Sequence, residues 1–211
     1  MSVGFTLNYE IVSEFSESDL YKINQMIISV WDYNSWVQEE NVEPMAEFFL
    51  SEVIINSSRI FVARDGEQIV GVIAASLVSN IRQKAKAKIK KYKSLKKLFS
   101  EKGNEVFDCY LDTLILCENL LLRSGRSFNA SLNLFILDER YQGLGIGNKL
   151  YSRFLEYLAD MNADNFFLYT DDSSNFQFYE RKGLNRIEEE EFYWRCSNQN
   201  NERYYLYEGK V

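Results

Sequence analysis

The apolar positions change period several times along the chain, and each change marks an element. Tyr9 to Phe15 alternates as a strand. Leu20, Ile23, Met26, Ile27 and Val30 then recur at helical spacing behind Ser16, a residue type that caps helix starts, with Ser18 and Asp19 in the first turn. Trp31, Tyr33 and Trp36 continue into a loop, and could line a small-molecule pocket, although packing is the first expectation for at least two of them. Pro44 opens a second helix through Phe48, Phe49, Val53 and Ile54. Ile60 to Ala63 and Ile69 to Leu77 are strands joined by a hairpin at Asp65-Gly66. Ile81, Ala85, Ile89, Tyr92, Leu95 and Phe99 make a helical stripe whose opposite face is almost wholly lysine. A second and more apolar helix covers about Glu105 to Leu122. The last third predicts a strand over Leu132 to Leu137, then a helix through Leu150, Phe154, Leu155 and Leu158. A buried strand follows from Asp164 to Thr170. Two alternating strands, Glu191 to Cys196 and Glu202 to Glu208, enclose a polar turn at Ser197 to Asn201.

Between the strand at Leu132 and the helix at Leu150 stands Tyr141-Gln142-Gly143-Leu144-Gly145-Ile146-Gly147-Asn148-Lys149-Leu150. Alternating glycines at a loop-to-helix junction free the backbone to point several N–H groups one way and let a ligand approach without meeting a Cβ. The helix start adds orphan donors and a partial positive charge, so the expected ligand is an anion, most simply a phosphate or pyrophosphate. The dinucleotide fingerprint G-x-G-x-x-G is not met, because Asn148 occupies the third glycine position, and no G-x-x-x-x-G-K-[ST] occurs.

What the loop does fit is Q/R-x-x-G-x-G/A, through Gln142, Gly145 and Gly147. In this the chain resembles the GNAT superfamily of acyl-CoA-dependent N-acyltransferases, whose loop of this form wraps the pyrophosphate of coenzyme A. Downstream, Asn175-Phe176-Gln177-Phe178-Tyr179-Glu180-Arg181-Lys182-Gly183-Leu184 resembles the family's aromatic-Tyr-x-x-x-Gly segment, filled by Tyr179, Gly183 and Leu184 at the family's usual distance from the loop. The close resemblance covers about residues 130 to 186, and the N-terminal third matches in its order of elements. It implies an α/β fold: a central twisted mixed sheet of about seven strands flanked by helices. It further implies a single N-acetyltransferase domain over 1–211, with a helical insertion at about 80–129. An insert before the fourth strand is similar to that of a less common subgroup.

Composition narrows the chemistry. With 211 residues, 46% hydrophobic and 15% aromatic, the chain can close a sizeable core, and general disorder is excluded. A single proline and few glycines argue against two linker-joined domains. Nothing at the start reads as a signal peptide or a myristoylation site, and no run approaches the roughly 20 apolar residues of a membrane span. Of three cysteines, Cys109 and Cys117 would sit about 12 Å apart on one helix, too far to bridge, so a reduced cytoplasmic compartment is expected. There is no histidine, which removes histidine bases, Ser-His and Cys-His dyads and most zinc sites. No metal is expected.

The net charge of −7 splits sharply. Residues 81 to 102 hold ten Lys/Arg and one acid, +9, which leaves −16 for the remainder. An acidic body disfavours nucleic acid and favours cationic substrates. The basic helix has three readings: solvated lysines over a packed stripe, which we favour; a contact with the 3′-phosphate of CoA or with a membrane surface; and, last, nucleic-acid binding.

The resemblance also implies roles. Gln142, Gly143, Leu144, Gly145, Ile146, Gly147 and Asn148 would bind CoA, with Phe135 and Leu137 along the pantetheine and Asn175, Phe178, Tyr179 and Lys182 completing the site. The Leu137 N–H would polarise the thioester carbonyl. Tyr179 would return a proton to the leaving thiolate, since a phenol near pKa ~10 can protonate a thiolate whose acid lies near ~8.5. Many members carry a glutamate early on the strand before the loop, whereas Ala130-Ser131-Leu132-Asn133 has no carboxylate. Asp112, Glu118 or Asp171 could serve as base through water, though each reads first as an ordinary surface carboxylate. The expected function is transfer of acetyl from acetyl-CoA to a primary amine of a small molecule or peptide. The alternatives are a non-catalytic acyl-CoA sensor and an interaction protein working through the basic helix. A homodimer is compatible with the sequence.

Overall fold

A computed structural model describes residues 6–79, 81–99, 105–195 and 201–211. Cys196 and the turn over 197–200 lie outside them, as do the side chains of Ile81 and Phe99. In chain order the elements are β1 (Leu7–Ile11), α1 (Glu17–Val30), α2 (Tyr33–Trp36), α3 (Glu39–Asn56), β2 (Arg59–Asp65), β3 (Gln68–Leu77), α4 (Ile81–Phe99), α5 (Glu105–Ser124), β4 (Ala130–Leu137), a 3-10 turn at Glu139–Tyr141, α6 (Ile146–Asp160), β5 (Asn165–Asp171), α7 (Gln177–Arg181), β6 (Asn185–Phe192) and β7 (Glu202–Lys210). Seven strands with flanking helices make the α/β fold that the sequence predicts, and α4 and α5 stand between β3 and β4, where the insertion is expected. By contact density the chain falls into two compact units: residues up to Leu77 with Ala130–Asp164 and Val211, and Val78–Asn129 with Asn165–Lys210.

In the first unit β1, β2, β3 and β4 pair antiparallel in that order. The β2–β3 hairpin turns at Gly66-Glu67, with Asp65 opposite Gln68 and Gly66 at φ +58°, the left-handed geometry for which a Gly turn is suited. β3 is buried along almost its whole length. An added Cβ on Gly71 would stand 3.0 Å from the side chains of both Leu137 and Leu150, so this glycine sets how closely α6 packs on the strands. Leu150, Phe154 and Leu158 of α6 are fully buried, and each such side chain contributes about 1.5–3 kcal/mol of burial.

Two expectations here need correction. The helix assigned to begin at Pro44 begins at Glu39, with Pro44 inside it. Val42, Met45 and Ala46 are buried, so an apolar face spanning the proline outweighs one lost backbone hydrogen bond, and the acidic first turn suits the helix dipole. The loop after α1 is a short helix, Tyr33–Trp36, in which the Trp36 indole donates to the Trp31 carbonyl at 3.0 Å. Trp31 also packs edge-on against Phe49 at 5.1 Å.

In the second unit β7 pairs antiparallel with both β5 and β6. The register fixes two faces. One carries Phe167, Tyr169 and Asp171 of β5 opposite Glu208, Leu206 and Tyr204 of β7; the other carries Phe166, Leu168 and Thr170 opposite Gly209, Tyr207 and Tyr205. Helix α5 packs on β6 and β7, and α4 packs on α5. Phe128, just beyond α5, meets Phe167, while Arg126 pairs with Glu208, so the insert covers the first face. Rings at the start of and within α7 cover the second: Phe176 against Tyr205 at 5.3 Å and Tyr179 against Tyr207 at 6.0 Å. β6 starts at Asn185, six residues before the expected strand. Its run Glu188 to Glu191 hides the alternation. Ion pairs from Arg123, Arg186 and Arg203 hold Glu188, Glu189 and Glu190 on a strand that pairs through β7.

Candidate functional site

The glycine loop forms at the exit of β4. Asp138 caps the following 3-10 turn by accepting from the Arg140 N–H, and the Tyr141 hydroxyl donates to Asp65 at 3.0 Å. These bonds tie both ends of the turn to the first unit. Gly143 and Gly145 then take φ of +76° and +81°. An added Cβ on either would meet open space, so what calls for glycine at both is backbone conformation rather than crowding. Gly147 differs: it lies in the first turn of α6, where a Cβ would be in ordinary contact with Phe135 at 3.5 Å.

Gly145 is the N-cap of α6, and among the described residues no side chain caps this helix start. The first intrahelical bond is Lys149 N–H to the Gly145 carbonyl, at 3.1 Å. The N–H groups of Ile146, Gly147 and Asn148 therefore stand at the positive end of the helix dipole with no side-chain acceptor among the described residues. Gln142, Gly143, Leu144, Gly145 and Asn148 are exposed there, while Ile146 is buried as the anchor. Unpaired donors at a helix start suit an anion.

β4 supplies the second feature. The Asp138 N–H donates to the Val70 carbonyl at 2.8 Å, which makes that pair the hydrogen-bonded one in the β3–β4 ladder. The Leu137 N–H, one residue back, therefore points away from β3. Phe135 and Leu137 are both half-buried. Asp138 is itself buried and salt-bridged to Arg140 at 2.8 Å and Lys22 at 2.9 Å. The Arg140 guanidinium and then Lys22 hold its carboxyl well below the usual carboxylate range. Sequence reasoning missed this anchor. An acid directly before Glu139-Arg140 was the available signal, but its partner Lys22 is 116 residues away. Beside it lies a cleft of about 280 Å³ lined by Lys22, Gln25, Met26, Ser29, Asp138 and Arg140, among others.

In the second unit Asn175, Phe178, Tyr179 and Lys182 cluster around the short helix α7. The Tyr179 carbonyl accepts from the N–H groups of Lys182 and Leu184, and Gly183 takes φ +78° to end the helix. The Lys182 ammonium lies over the Phe178 ring at 5.5 Å, and Asn175 is exposed. Tyr179 is half-buried on the face carrying Tyr207.

The three base candidates do not fit their expected surface character. Glu118 and Asp171 are buried, at 4% and 8% exposure. Glu118 pairs with Lys88 at 2.7 Å, and Asp171 accepts from the Ser173 and Ser174 hydroxyls and the Ser174 N–H. Burial arises because both lie on the covered face of the second unit, which no local sequence pattern discloses. Asp112 is half-exposed and is shared between Lys96 and Arg195. Asn133, in the stretch where many relatives carry a glutamate, is committed to structure. Its amide donates to Ser76 at 2.7 Å and Ser57 at 3.0 Å and accepts from Ser131 at 2.7 Å.

The model of the acetyltransferase (GNAT) family matches residues 24–184. The chain belongs to that family. It is accordingly an acyltransferase with acetyl-CoA as cosubstrate, and the glycine loop lies within the matched span. No curated protein sequence matches the chain. Among solved structures it is similar to an agmatine N-acetyltransferase (TM-score 0.64, 12% identity, covering 96% of this chain and 99% of that one). A mosquito arylalkylamine N-acetyltransferase-like protein, 5b, gives a TM-score of 0.63 at 13% identity, covering 98% and 100%. A protein of Pyrococcus horikoshii OT3 gives 0.62 at 16%, covering 97% and 98%. At these identities the likeness is one of fold. Among the described residues no helix is long and apolar enough to cross a membrane.

Proposed function

We propose that this acyltransferase moves the acetyl group of acetyl-CoA to a primary amine of a small molecule or peptide by direct attack on the thioester. The observation that carries the reading is the helix start at Gly145: a run of N–H donors without a side-chain cap, behind two left-handed glycines at the exit of β4. Gln142 to Asn148 would hold the CoA pyrophosphate there, and Phe135 and Leu137 would flank its pantetheine arm. Acetyl-CoA contributes the activated acyl group. Two fold neighbours named for amine acceptors are consistent with nitrogen as the nucleophile.

The chain's own residues then have distinct tasks. The Leu137 N–H, turned away from β3, donates to the carbonyl oxygen as negative charge builds on it. The amine lone pair forms the C–N bond, the C–S bond breaks, and the departing sulfur takes a proton from the Tyr179 phenol, a transfer uphill by only about 2 kcal/mol on the ordinary acidities of phenol and thiol, after which the phenolate regains a proton from water. The ammonium proton leaves beforehand through water, because Asn133 brings no carboxylate to β4.

That same asparagine favours the second reading, a CoA-binding sensor without turnover. One experiment separates them. Incubation with acetyl-CoA and a panel of primary amines, read by intact mass and released thiol, should yield an acetylated amine. Tyr179→Phe should then lower turnover by about 10²–10⁴ with CoA affinity retained, because only the proton donor is removed. CoA binding with no amine modified would establish the sensor, and equal rates for both proteins would return Tyr179 to a packing role.

A further inference from the structure

Tyr179, the proposed proton donor, rides on a helix that cannot hold its own place. α7 has five residues, none of them buried, and among the described residues no side chain caps its start. Isolated helices are marginal even at roughly 12–15 residues, so one this short takes its position from ties to the ribbon beneath it. Proton transfer is sensitive to that position, because displacing a reacting group by about 1 Å can cost roughly 10²-fold in rate.

The ties converge on Arg186, which stands on β6 directly opposite Tyr207 of β7. The register slips just after it: Glu188 is next opposite Leu206, and Ile187 is an extra residue. This bulge brings Glu189 to the same face as Arg186, where a regular strand would turn it away. All three guanidinium nitrogens are then engaged. Nε donates to the Tyr207 hydroxyl oxygen at 3.1 Å, Nη1 to Glu189 at 3.2 Å and Nη2 to Glu180 of α7 at 2.5 Å. The Tyr207 hydroxyl donates in turn to the same Glu180 oxygen at 2.9 Å, so Arg186, Tyr207 and Glu180 close a ring of hydrogen bonds. The guanidinium also lies over the Tyr205 ring at 4.1 Å and near the ring of Phe176, the residue that opens α7, at 5.5 Å. One cation thus holds the short helix at its start through Phe176 and beyond its middle through Glu180. Tyr179 lies between them, its ring against Tyr207 at 6.0 Å.

Packing alone does not ask for this much. Tyr207 is fully buried and its hydroxyl needs a partner, which Arg186 by itself supplies. Glu180 keeps 43% of its side-chain surface, and an ion pair so exposed adds little to stability. What it adds is direction, since a planar guanidinium with every nitrogen committed has one orientation. Hydrogen bonds from Tyr207, foremost, and from Arg186 hold the Glu180 carboxyl below its ordinary value, so it is ionised at neutral pH and the ring stays closed.

We propose that Arg186 and Glu180 are positioning residues: with Tyr207 and Phe176 they clamp α7 to the β6–β7 ribbon and set the Tyr179 hydroxyl for proton transfer to the departing thiolate. The clamp stands on the geometry of this unit, and its catalytic consequence rests on the proton-donor reading of Tyr179.

Two measurements on the whole protein test the two halves. Hydrogen exchange read by mass spectrometry follows the clamp through the Lys182 and Leu184 amides, both bonded to the Tyr179 carbonyl. Arg186→Gln and Glu180→Ala should speed exchange over 177–184 at least about fivefold and leave α6 unchanged. Glu180→Gln, whose amide oxygen can accept the same two bonds, should stay near wild type. Thiol release from acetyl-CoA, with n-hexylamine, 1,4-diaminobutane and 2-phenylethylamine offered as acceptors, follows the catalysis. Arg186→Gln and Glu180→Ala should lower kcat about 10–10²-fold with KM for acetyl-CoA within a few-fold of wild type, and Glu180→Gln should restore most of the rate. In a Tyr179→Phe background the same substitutions should lower kcat no further, because a residue acting through the phenol has nothing left to act on. Exchange at the wild-type rate in both folded variants would overturn the clamp. Faster exchange with kcat unchanged, or losses that simply add to that of Tyr179→Phe, would overturn the positioning role. A wild-type rate in Tyr179→Phe, or no acetylation of any amine, rejects the transfer reading and the catalytic half with it, while exchange still decides the clamp. Should Arg186→Gln fail to fold by circular dichroism, Glu180→Ala, at an exposed position, carries both tests.

Discussion

Two helices of similar length in the first unit begin in opposite ways. α1 opens on Ser16, whose hydroxyl accepts from the Asp19 N–H at 3.2 Å while the Asp19 carboxylate accepts from the Ser16 N–H at 3.4 Å. Asp19 also takes a two-pronged salt bridge from Arg64, at 2.7 and 2.9 Å. α6 opens on Gly145, a residue with no side chain to offer, in a left-handed conformation. The first helix meets its orphan donors with its own chain and gains stability. The second leaves them open, as a helix start does when an anion from outside is to complete it. Helix ends are thus a place where a fold can spend its hydrogen bonds or reserve them, and here both choices are made within one unit.

The strongest way to break that contrast is to cap α6 from within. Gly145→Asp puts a carboxylate at the N-cap and a Cβ at φ +81°, adding backbone strain of about 1–2 kcal/mol to like-charge repulsion of a pyrophosphate. Gly147→Asp adds the charge without the strain, because Gly147 is helical and its Cβ would have room. CoA affinity by calorimetry should fall by more than tenfold in both, which is more than about 1.4 kcal/mol. Unchanged affinity in folded variants would show that α6 is merely a poorly capped helix.

A smaller effect is expected at the other start. Ser16→Ala should cost about 1 kcal/mol of stability in urea denaturation, with CoA affinity unaltered. Loss of CoA binding there would dissolve the distinction between the two helices. The same cap carries a pH signature. Hydrogen bonding from Arg64, foremost, and from Ser16 lowers the Asp19 pKa below its ordinary value. A depressed carboxyl stabilises the fold fully above its unfolded pKa of about 3.9 and progressively less as pH drops through the lower folded value. The stability gap between wild type and Asp19→Asn should therefore be wide at pH 7 and close as pH falls through the depressed folded pKa of Asp19. A gap that stays constant with pH would mean that the Asp19 charge does not act.

The two starts also mark what the sequence disclosed. Ser16 and the Gln142–Gly147 loop were legible because cap and nest chemistry is local: the residues that make each lie within a few positions. Strands of alternating or continuous apolar residues were found to within a few residues. β6 escaped because four successive glutamates conceal its period, and Pro44 misled because an apolar face counts for more than one missing N–H. Asp138 and the burial of Glu118 and Asp171 were not legible at all. Glu118 and Asp171 are separated by more than 50 positions and by β4, the 3-10 turn and α6, so only the register of β5 on β7 and the cover of α5 bring them to one face. A buried acid and a surface acid have the same letter, and the difference between them is entirely one of tertiary placement.

The lysines of α4 repeat the same choice on a helix flank, with the smallest expected effect. In sequence Lys84, Lys86, Lys88 and Lys93 are equivalent. In the fold Lys84, Lys86 and Lys93 are exposed, whereas Lys88 is half-buried and meets the buried Glu118 at 2.7 Å. Reversing the three exposed lysines to glutamate should shift stability by no more than about 0.5 kcal/mol, as for surface substitutions remote from special features. Lys88→Glu should cost several times more, because it leaves a buried carboxylate facing a second one. Salt sharpens the comparison: screening acts on exposed charges and hardly on buried pairs, so high salt should abolish the effect of the triple reversal and leave most of the Lys88→Glu cost. CoA titrations of the triple variant decide the remaining reading of this helix. Constant affinity at low and high salt identifies a solvated face. A drop at low salt that vanishes at high salt would mean that the lysines attract the nucleotide phosphates from a distance.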